Sequence, residues 1–160
     1  MKKTNQHHLE ELSDELSLAL GEAVWAFARI EKLIFEYMEK LARDDLNDLI
    51  GYQPITKRIE IIKKLIIRIE GLGNEKKHAL TNLEKALKLS KSRNKIAHNP
   101  WLIWIDLDKK IIKTEIHEIH NKDSVPIDLI KMRKFTADAE RVASDLKDSL
   151  IPLVKAVRGF

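Results

Sequence analysis

Apolar residues recur every three or four positions in the N-terminal part of the chain, which is the spacing of one face of an α-helix. The repeat over Leu9–Leu41 predicts one amphipathic helix of roughly nine turns. The same spacing predicts a second helix over Ile55–Ile69, which Gly71–Gly73 should end because glycine favours a helix stop. Between them, residues 43–54 predict a loop with a short helix over 46–50.

A third helix is predicted over Asn74–His98, with Asn74 as its N-cap. Pro100 sets its end, because the residue before a proline disfavours helical dihedral angles. Its stripe of leucines is expected to continue through Ser90, Asn94 and Ala97.

After Pro100 the spacing of apolar residues changes from that of a helix to that of a β-strand. Trp101–Ile105 is β-branched and aromatic, and Ile112–Ile116 alternates apolar with polar residues, so a β-hairpin is predicted. Two strands alone are marginally stable, so the hairpin must pack on the helices. Trp101 and Trp104 are expected to pin it there rather than to stack on bases.

A last helix is predicted to begin at Thr136, with Val142, Leu146 and Leu150 facing inward. The prediction is one domain over residues 1–160. Its fold class is all-α, a bundle of four to five helices with a small β-hairpin inserted before the last helix.

Composition narrows the chemistry. The 160 residues include no cysteine, which excludes disulfides, a thiolate nucleophile and cysteine-ligated zinc. The histidines lack converging ligands, so neither a metal nor a cofactor is predicted. The N-terminal sequence has no apolar signal-peptide core, and no apolar run is long enough to cross a bilayer. We therefore expect a cytoplasmic protein without a membrane segment.

The sequence KSRNKIAHNPW, residues 91–101, carries the candidate chemistry. Arg93 can grip a phosphate, His98 can exchange a proton near neutral pH, and Asn94 can orient either group. These parts suffice for metal-free cleavage of RNA, whose 2′-hydroxyl can attack the adjacent phosphorus. The net charge is only +4, but Lys85–His98 contains no acidic residue. The candidates for contact with an RNA backbone are Lys88, Lys91 and Lys95.

Helix geometry limits what one copy of this motif can do. Arg93 and His98 are five residues apart, so their side chains diverge by about 140° on a straight helix. Asn94 and His98 are four apart and share a face. Convergence therefore needs either an unwound helix end or a second copy of the helix in a symmetric dimer. A purely structural alternative is that Arg93 and His98 cap the C-terminal carbonyls of the helix.

Glu31 is a candidate supporting residue. It lies between Phe27 and Ile34 on the apolar side of the first helix. A carboxylate that is partly buried there needs a partner, and Arg93 is one candidate. The alternative is that Glu31 lies at the edge of the stripe and points to water.

The segment RNKIAH resembles the HEPN motif, in which arginine is followed by a polar residue, three variable residues and histidine. Arg93, Asn94 and His98 match its fixed positions, and WAFARIEKLI, which contains Glu31, resembles the aromatic-rich opening helix of such proteins. The resemblance covers about the first hundred residues. Bacterial members often carry glycine after the histidine, where this chain has Asn99.

The resemblance implies an all-helical homodimer in which two motifs meet at the interface. Many HEPN proteins are metal-independent ribonucleases of toxin–antitoxin, phage-defence or RNA-processing systems. Arg93 and His98 would then be catalytic, Asn94 would orient them, and RNA and an antitoxin or other protein would be the partners. Other HEPN domains are inactive modules that bind RNA, nucleotide or protein, and this is the alternative function.

Overall fold

The fold consists of a helical bundle and a small antiparallel sheet. The computed structural model describes residues 2–42, 48, 50–106, 111–118 and 125–159. Its main helices are α1 (Lys2–Leu41), α2 (Ile55–Arg68), α3 (Gly73–His98) and α4 (Leu129–Arg158). Its strands are β1 (Trp101–Asp106), β2 (Ile111–Ile116) and β3 (Ile127–Asp128).

Helices α1 and α4 lie side by side and run in the same direction. Arg133, near the start of α4, pairs with Glu15 of α1, and near the C-terminal ends of both helices the Arg158 guanidinium donates to the carbonyl oxygen of Lys40 at 3.3 Å. This pair forms the most extensive helix–helix contact among the described residues. The first and last helices therefore build much of the core together.

Helix α3 runs antiparallel to α4. Asn82 Nδ2 donates to Ser149 Oγ at 3.2 Å, and Lys85 Nζ lies 3.5 Å from Asp145 Oδ2, so residue numbers rise along one helix as they fall along the other. The C-terminal end of α3, which carries the motif, therefore lies near the N-terminal end of α4.

The core lies between the four helices. Side chains from each helix are fully buried in it, and burial of such side chains stabilises the fold by roughly 1.5–3 kcal/mol each. The largest of them are Phe27, Ile30, Ile34, Tyr37, Met38, Ile59, Ile62, Ile66, Leu83, Met132, Leu146 and Leu153. Tyr37 keeps its polar end satisfied, since its hydroxyl donates to the carbonyl oxygen of Leu146 at 2.8 Å.

The Tyr37 hydroxyl should make the fold sensitive to high pH. Burial raises its pKa above the ordinary value of about 10, and the nearby Ser149 hydroxyl only partly opposes this. Because the folded-state pKa is the higher one, the stabilisation is complete below about pH 10 and is lost as pH rises from there towards the folded pKa. We expect the free energy of unfolding to fall more steeply above about pH 10 in the wild type than in Tyr37→Phe.

Urea unfolding between about pH 8 and pH 11 measures this effect. Tyr52→Phe is the matched control, because Tyr52 is 97% exposed and its replacement should leave the wild-type pH profile unchanged. Equal pH profiles for Tyr37→Phe and the wild type would contradict the assignment.

The sheet has the strand order β1-β2-β3, and both pairs are antiparallel. In the hairpin Trp101 pairs with Ile116 and Asp106 with Ile111, which confirms the predicted pairing of these two segments. The predicted turn after Asp106 falls outside the described residues. Strand β3 was not predicted, because its two residues are too short to show a period. The architecture is thus predominantly helical with a three-stranded sheet.

The last helix begins seven residues earlier than Thr136, so the predicted cap is wrong. Asp128 is the N-cap, and its Oδ1 accepts a hydrogen bond from the backbone N–H of Lys131 at 2.7 Å. Thr136 lies inside the helix, where its hydroxyl donates to the carbonyl oxygen of Met132. Aspartate and threonine side chains can both cap a helix. However, only a side-chain oxygen just before the first turn can accept from the free backbone N–H groups of that turn.

Two further predictions about α3 are wrong. The helix begins at Gly73, and its N-cap is Leu72 in the left-handed region (φ 55°, ψ 47°), so Asn74 is not the cap. The buried stripe reaches Ser90 and Ile96 but leaves Asn94 and Ala97 exposed. Helix α1 also starts earlier than predicted, at Lys2. The short helix predicted over 46–50 falls largely outside the described residues.

None of the helices in the described part of the chain is long and apolar enough to cross a membrane.

Candidate functional site

The motif lies on the last two turns of α3, and the helix is regular up to its end. Helical geometry continues through His98, and Asn99 is extended at φ −116° and ψ 145°. The end is therefore placed as predicted from Pro100. The Asn99 side chain folds back and donates from Nδ2 to the carbonyl oxygen of Lys95 at 2.9 Å. Asn99 thus caps the helix.

Arg93 is held against α1 by an aromatic ring. Its guanidinium carbon lies 5.9 Å from the centre of the Phe27 ring, which is within cation–π distance. Phe27 is buried and stacks on Phe135 with ring centres 6.3 Å apart, so the platform belongs to the core. Arg93 Nη1 also donates to Oδ1 of Asn94 at 3.4 Å. Arg93 is half-buried, and its remaining N–H groups donate to none of the described residues.

His98 points to solvent. The side chain is exposed and makes no hydrogen bond or ring contact with another residue that the structure describes. Asn94, four residues before it, is also exposed and contacts Arg93 rather than the imidazole. Because α3 does not unwind, Arg93 and His98 diverge by about 140° around the helix axis. One chain therefore does not bring the two groups to a common point.

The arrangement does not match a simple helix cap. A cap would place the guanidinium or imidazole against carbonyl oxygens of the last turn. Over the described ranges, Arg93 and His98 donate to no backbone carbonyl, and Asn99 supplies the capping bond to Lys95. The two motif side chains are thus available for another task.

The three lysines differ in their surroundings. Lys95 Nζ lies 2.6 Å from Glu118 Oε1, so its charge is largely neutralised at the end of β2. Lys88 is exposed. The hydrogen bond and the charge of Lys63 lower the pKa of Glu84, and the charge of Lys88 adds a smaller effect in the same direction. Lys91 is exposed and forms no ion pair within the described part of the chain. Lys91 therefore offers the least compensated positive charge beside His98, with which it shares a helix face.

The charge of Glu31 acts on a different arginine, Arg58. Glu31 is half-buried, and its charge raises the pKa of Arg58, although burial has the larger effect and lowers that pKa. The Arg58 guanidinium lies 4.2 Å from the centre of the Phe35 ring, and its Nε and Nη1 are buried without a hydrogen-bond partner among the described residues. No contact joins Glu31 to Arg93 in these ranges. Its role in supporting the site stays a prediction.

The two tryptophans of β1 have different environments. Trp101 is half-buried against the core, as predicted. The prediction is wrong for Trp104, which is 56% exposed and meets the His117 ring edge-on, with ring centres 6.4 Å apart. The difference follows from the strand period, because residues 101 and 104 point to opposite faces of the sheet. His117 Nε2 also lies 3.0 Å from Glu115 Oε2. Among the described residues, no group of three or more His, Cys, Asp or Glu side chains could hold a metal ion.

No protein-family model matches the chain, and neither the curated proteins nor the solved structures give a match. The chemistry of the site therefore rests on its own residues. Sequence reasoning treated Phe27 only as a core residue and did not detect it as the platform for Arg93. The sequence pointed to Phe27 only indirectly. Phe27 lies one helical turn before Glu31, which was a candidate partner for Arg93, and on the same face of the helix.

Proposed function

We propose that the protein is a metal-independent endoribonuclease of HEPN type that acts in a toxin–antitoxin, phage-defence or stress-response system. The observation that carries the proposal is the placement of the motif side chains at the end of α3. The Arg93 guanidinium lies over the Phe27 ring and His98 is open to solvent, and the capping role that would otherwise explain them belongs to Asn99. The helical bundle is compatible with the HEPN-like fold that we propose.

The proposed reaction is an internal transfer at one phosphodiester of RNA. His98 takes the proton of a 2′-hydroxyl, whose oxygen forms a bond to the adjacent phosphorus while the bond from phosphorus to the 5′-oxygen breaks. A protonated imidazole or water returns a proton to the leaving 5′-oxygen. Arg93 stabilises the negative charge that grows on the phosphoryl oxygens. The products are a 2′,3′-cyclic phosphate and a 5′-hydroxyl, and no metal or cofactor takes part.

We propose a homodimer as the active form. Since Arg93 and His98 diverge on one helix, a second copy of the motif supplies a way to line one cleft with both groups. Lys88, Lys91 and Lys95 are the proposed contacts to the RNA backbone, with Lys95 free for this role only when Glu118 releases it. An antitoxin or other protein partner would act by covering this cleft.

Product analysis tests the activity. Purified protein is incubated with mixed-sequence RNA in excess EDTA, and the 3′ ends are examined. We expect fragments that end in 2′,3′-cyclic phosphate, and no cleavage of the same oligonucleotide made with 2′-deoxyribose. Binding of intact RNA without cleavage would overturn the nuclease proposal in favour of a non-catalytic binding module. Fragments that end in a 3′-hydroxyl would overturn the mechanism.

A further inference from the structure

The outer face of α1 carries a stripe of exposed residues, of which Phe35, at its C-terminal end, contacts α2: the Arg58 guanidinium carbon lies 4.2 Å from the centre of the Phe35 ring. The stripe lies opposite the face that α1 buries in the core, and it repeats with the alternating three- and four-residue spacing of a helix–helix seam. Trp25 is 73% exposed and Leu18 is 64% exposed, which is unusual for such side chains in the middle of a long helix. The outer stripe consists of Leu18, Gly21, Trp25, Ala28, Lys32 and Phe35.

The sizes of these residues fit a second copy of α1 in the antiparallel direction. In an antiparallel pair, a residue of one helix faces a residue of the partner such that the two residue numbers have a constant sum. In the register that fits these sizes the sum is 53. Trp25 then meets the partner's Ala28, and the Lys32 stem meets the partner's Gly21, where a Cβ would have nothing within 4 Å. Each large side chain in the middle of the seam therefore faces a small one. A parallel pair would instead set Trp25 on the partner's Trp25 and Lys32 on the partner's Lys32.

The charges beside the stripe favour the same arrangement. Glu22 and Arg29 lie on one edge of the outer stripe, and both are exposed. Neither forms an ion pair within the ranges that the structure describes. In the antiparallel register Glu22 lies within about one helical turn of the position opposite the partner's Arg29, so the two charges can pair. The two-fold axis repeats this pair on the other side of its centre. Acidic residues Asp14 and Glu39 flank the stripe, so the seam is limited to residues 18–35, about five helical turns.

We propose that the outer stripe of α1 is the interface of a two-fold symmetric homodimer, with the two α1 helices antiparallel and Trp25 of each protomer packed against the partner's Ala28.

This interface also places the two motifs, in a step that rests on the proposed function. The two-fold axis passes α1 between Ala26 and Phe27, and Arg93 lies over the Phe27 ring. Phe27 adjoins Val24 and Glu31 on the other edge of the stripe, and this edge faces the same edge of the partner helix. The two Arg93 side chains therefore come to the same side of the dimer at nearly the same level. Phe27 is buried on the core face of α1, so this interface sets the two motifs on one side of the dimer and brings neither Arg93 into the seam itself.

Cysteine cross-linking tests the register, because the natural chain has no cysteine. Gly21→Cys and Lys32→Cys are prepared separately and then mixed under mild oxidation. We expect a disulfide-linked dimer from the mixture and none from either variant alone, since equal positions lie about 16 Å apart along the seam. A cross-link in Gly21→Cys alone would overturn the antiparallel register.

Sedimentation velocity tests the interface itself. The wild type is expected to be a dimer, and Trp25→Glu should weaken dimerisation by about 100-fold or more. Ile130→Glu is the matched control, because Ile130 is 79% exposed but lies on α4. Glu22→Arg should weaken the dimer about tenfold, and the double variant Glu22→Arg/Arg29→Glu should restore it. Circular dichroism confirms that each variant is folded. A monomeric wild type, or a folded Trp25→Glu that remains a dimer, would overturn the proposal.

These measurements use no RNA, so they succeed or fail independently of the nuclease activity. A cross-linked dimer that cleaves no RNA would retain the interface and overturn the proposed function. Cleavage by a monomeric Trp25→Glu would overturn the link between interface and cleft.

Discussion

Replacement of His98 by alanine is expected to lower the rate of RNA cleavage by about 10²–10⁴-fold, the usual contribution of a general base. The imidazole is the group on the motif that can take the proton of the 2′-hydroxyl. Single-turnover cleavage of a labelled RNA, with and without the substitution, measures the effect. RNA affinity should change little, because the charge that holds the backbone comes from Arg93 and the lysines.

His78→Ala is the matched control for this substitution. His78 is an exposed histidine on the same helix, at the end remote from the motif. Both variants should keep the wild-type melting temperature, since exposed side chains away from special contacts contribute within about 0.5 kcal/mol. Equal cleavage rates for the two variants would remove His98 from the mechanism, and a large loss of stability in His98→Ala would indicate a structural role instead.

Replacement of Phe27 by alanine should lower the free energy of unfolding by about 3–5 kcal/mol. The ring is buried in the core, where it stacks on Phe135, and its loss leaves a cavity under Arg93. Chemical denaturation followed by circular dichroism measures the change.

Phe27→Leu separates packing from the positioning of Arg93. Leucine keeps part of the buried volume but loses the stacking on Phe135, so the expected cost is smaller than that of alanine. It removes the aromatic face on which the guanidinium lies, and we expect cleavage to fall by about three- to tenfold while the fold persists. Full activity in a folded Phe27→Leu would show that the ring does not position Arg93. Ile34→Leu is the matched core control, because Ile34 is fully buried on α1 but carries no arginine.

The helical pattern of the sequence predicted the long elements well. The three- and four-residue spacing located α1 and α2, and Pro100 located the end of α3, because these signals act over one or two turns of the same helix. The caps were less predictable. Asp128 and Thr136 can both accept a backbone hydrogen bond, and the choice depends on the pairing of β3 with β2 just before α4.

The candidate site was predictable only in part. The sequence identified Arg93, Asn94 and His98 as neighbours on one helix, since their separation is local. It could not indicate that the Arg93 guanidinium lies over the Phe27 ring or that the charge of Glu31 acts on Arg58, because these interactions join residues far apart in the chain. The outer stripe of α1 was hidden by the buried stripe on the same helix, whose larger number of apolar residues dominates the periodicity.

The side-by-side packing of α1 and α4 has a consequence for synthesis on the ribosome. The nascent chain leaves much of the apolar core face of α1 exposed while α2, α3 and the strands are translated, because its most extensive contact is with α4, the last helix. Cooperative folding therefore waits until α4 has left the exit tunnel, and until then α1 is a surface that a chaperone can bind.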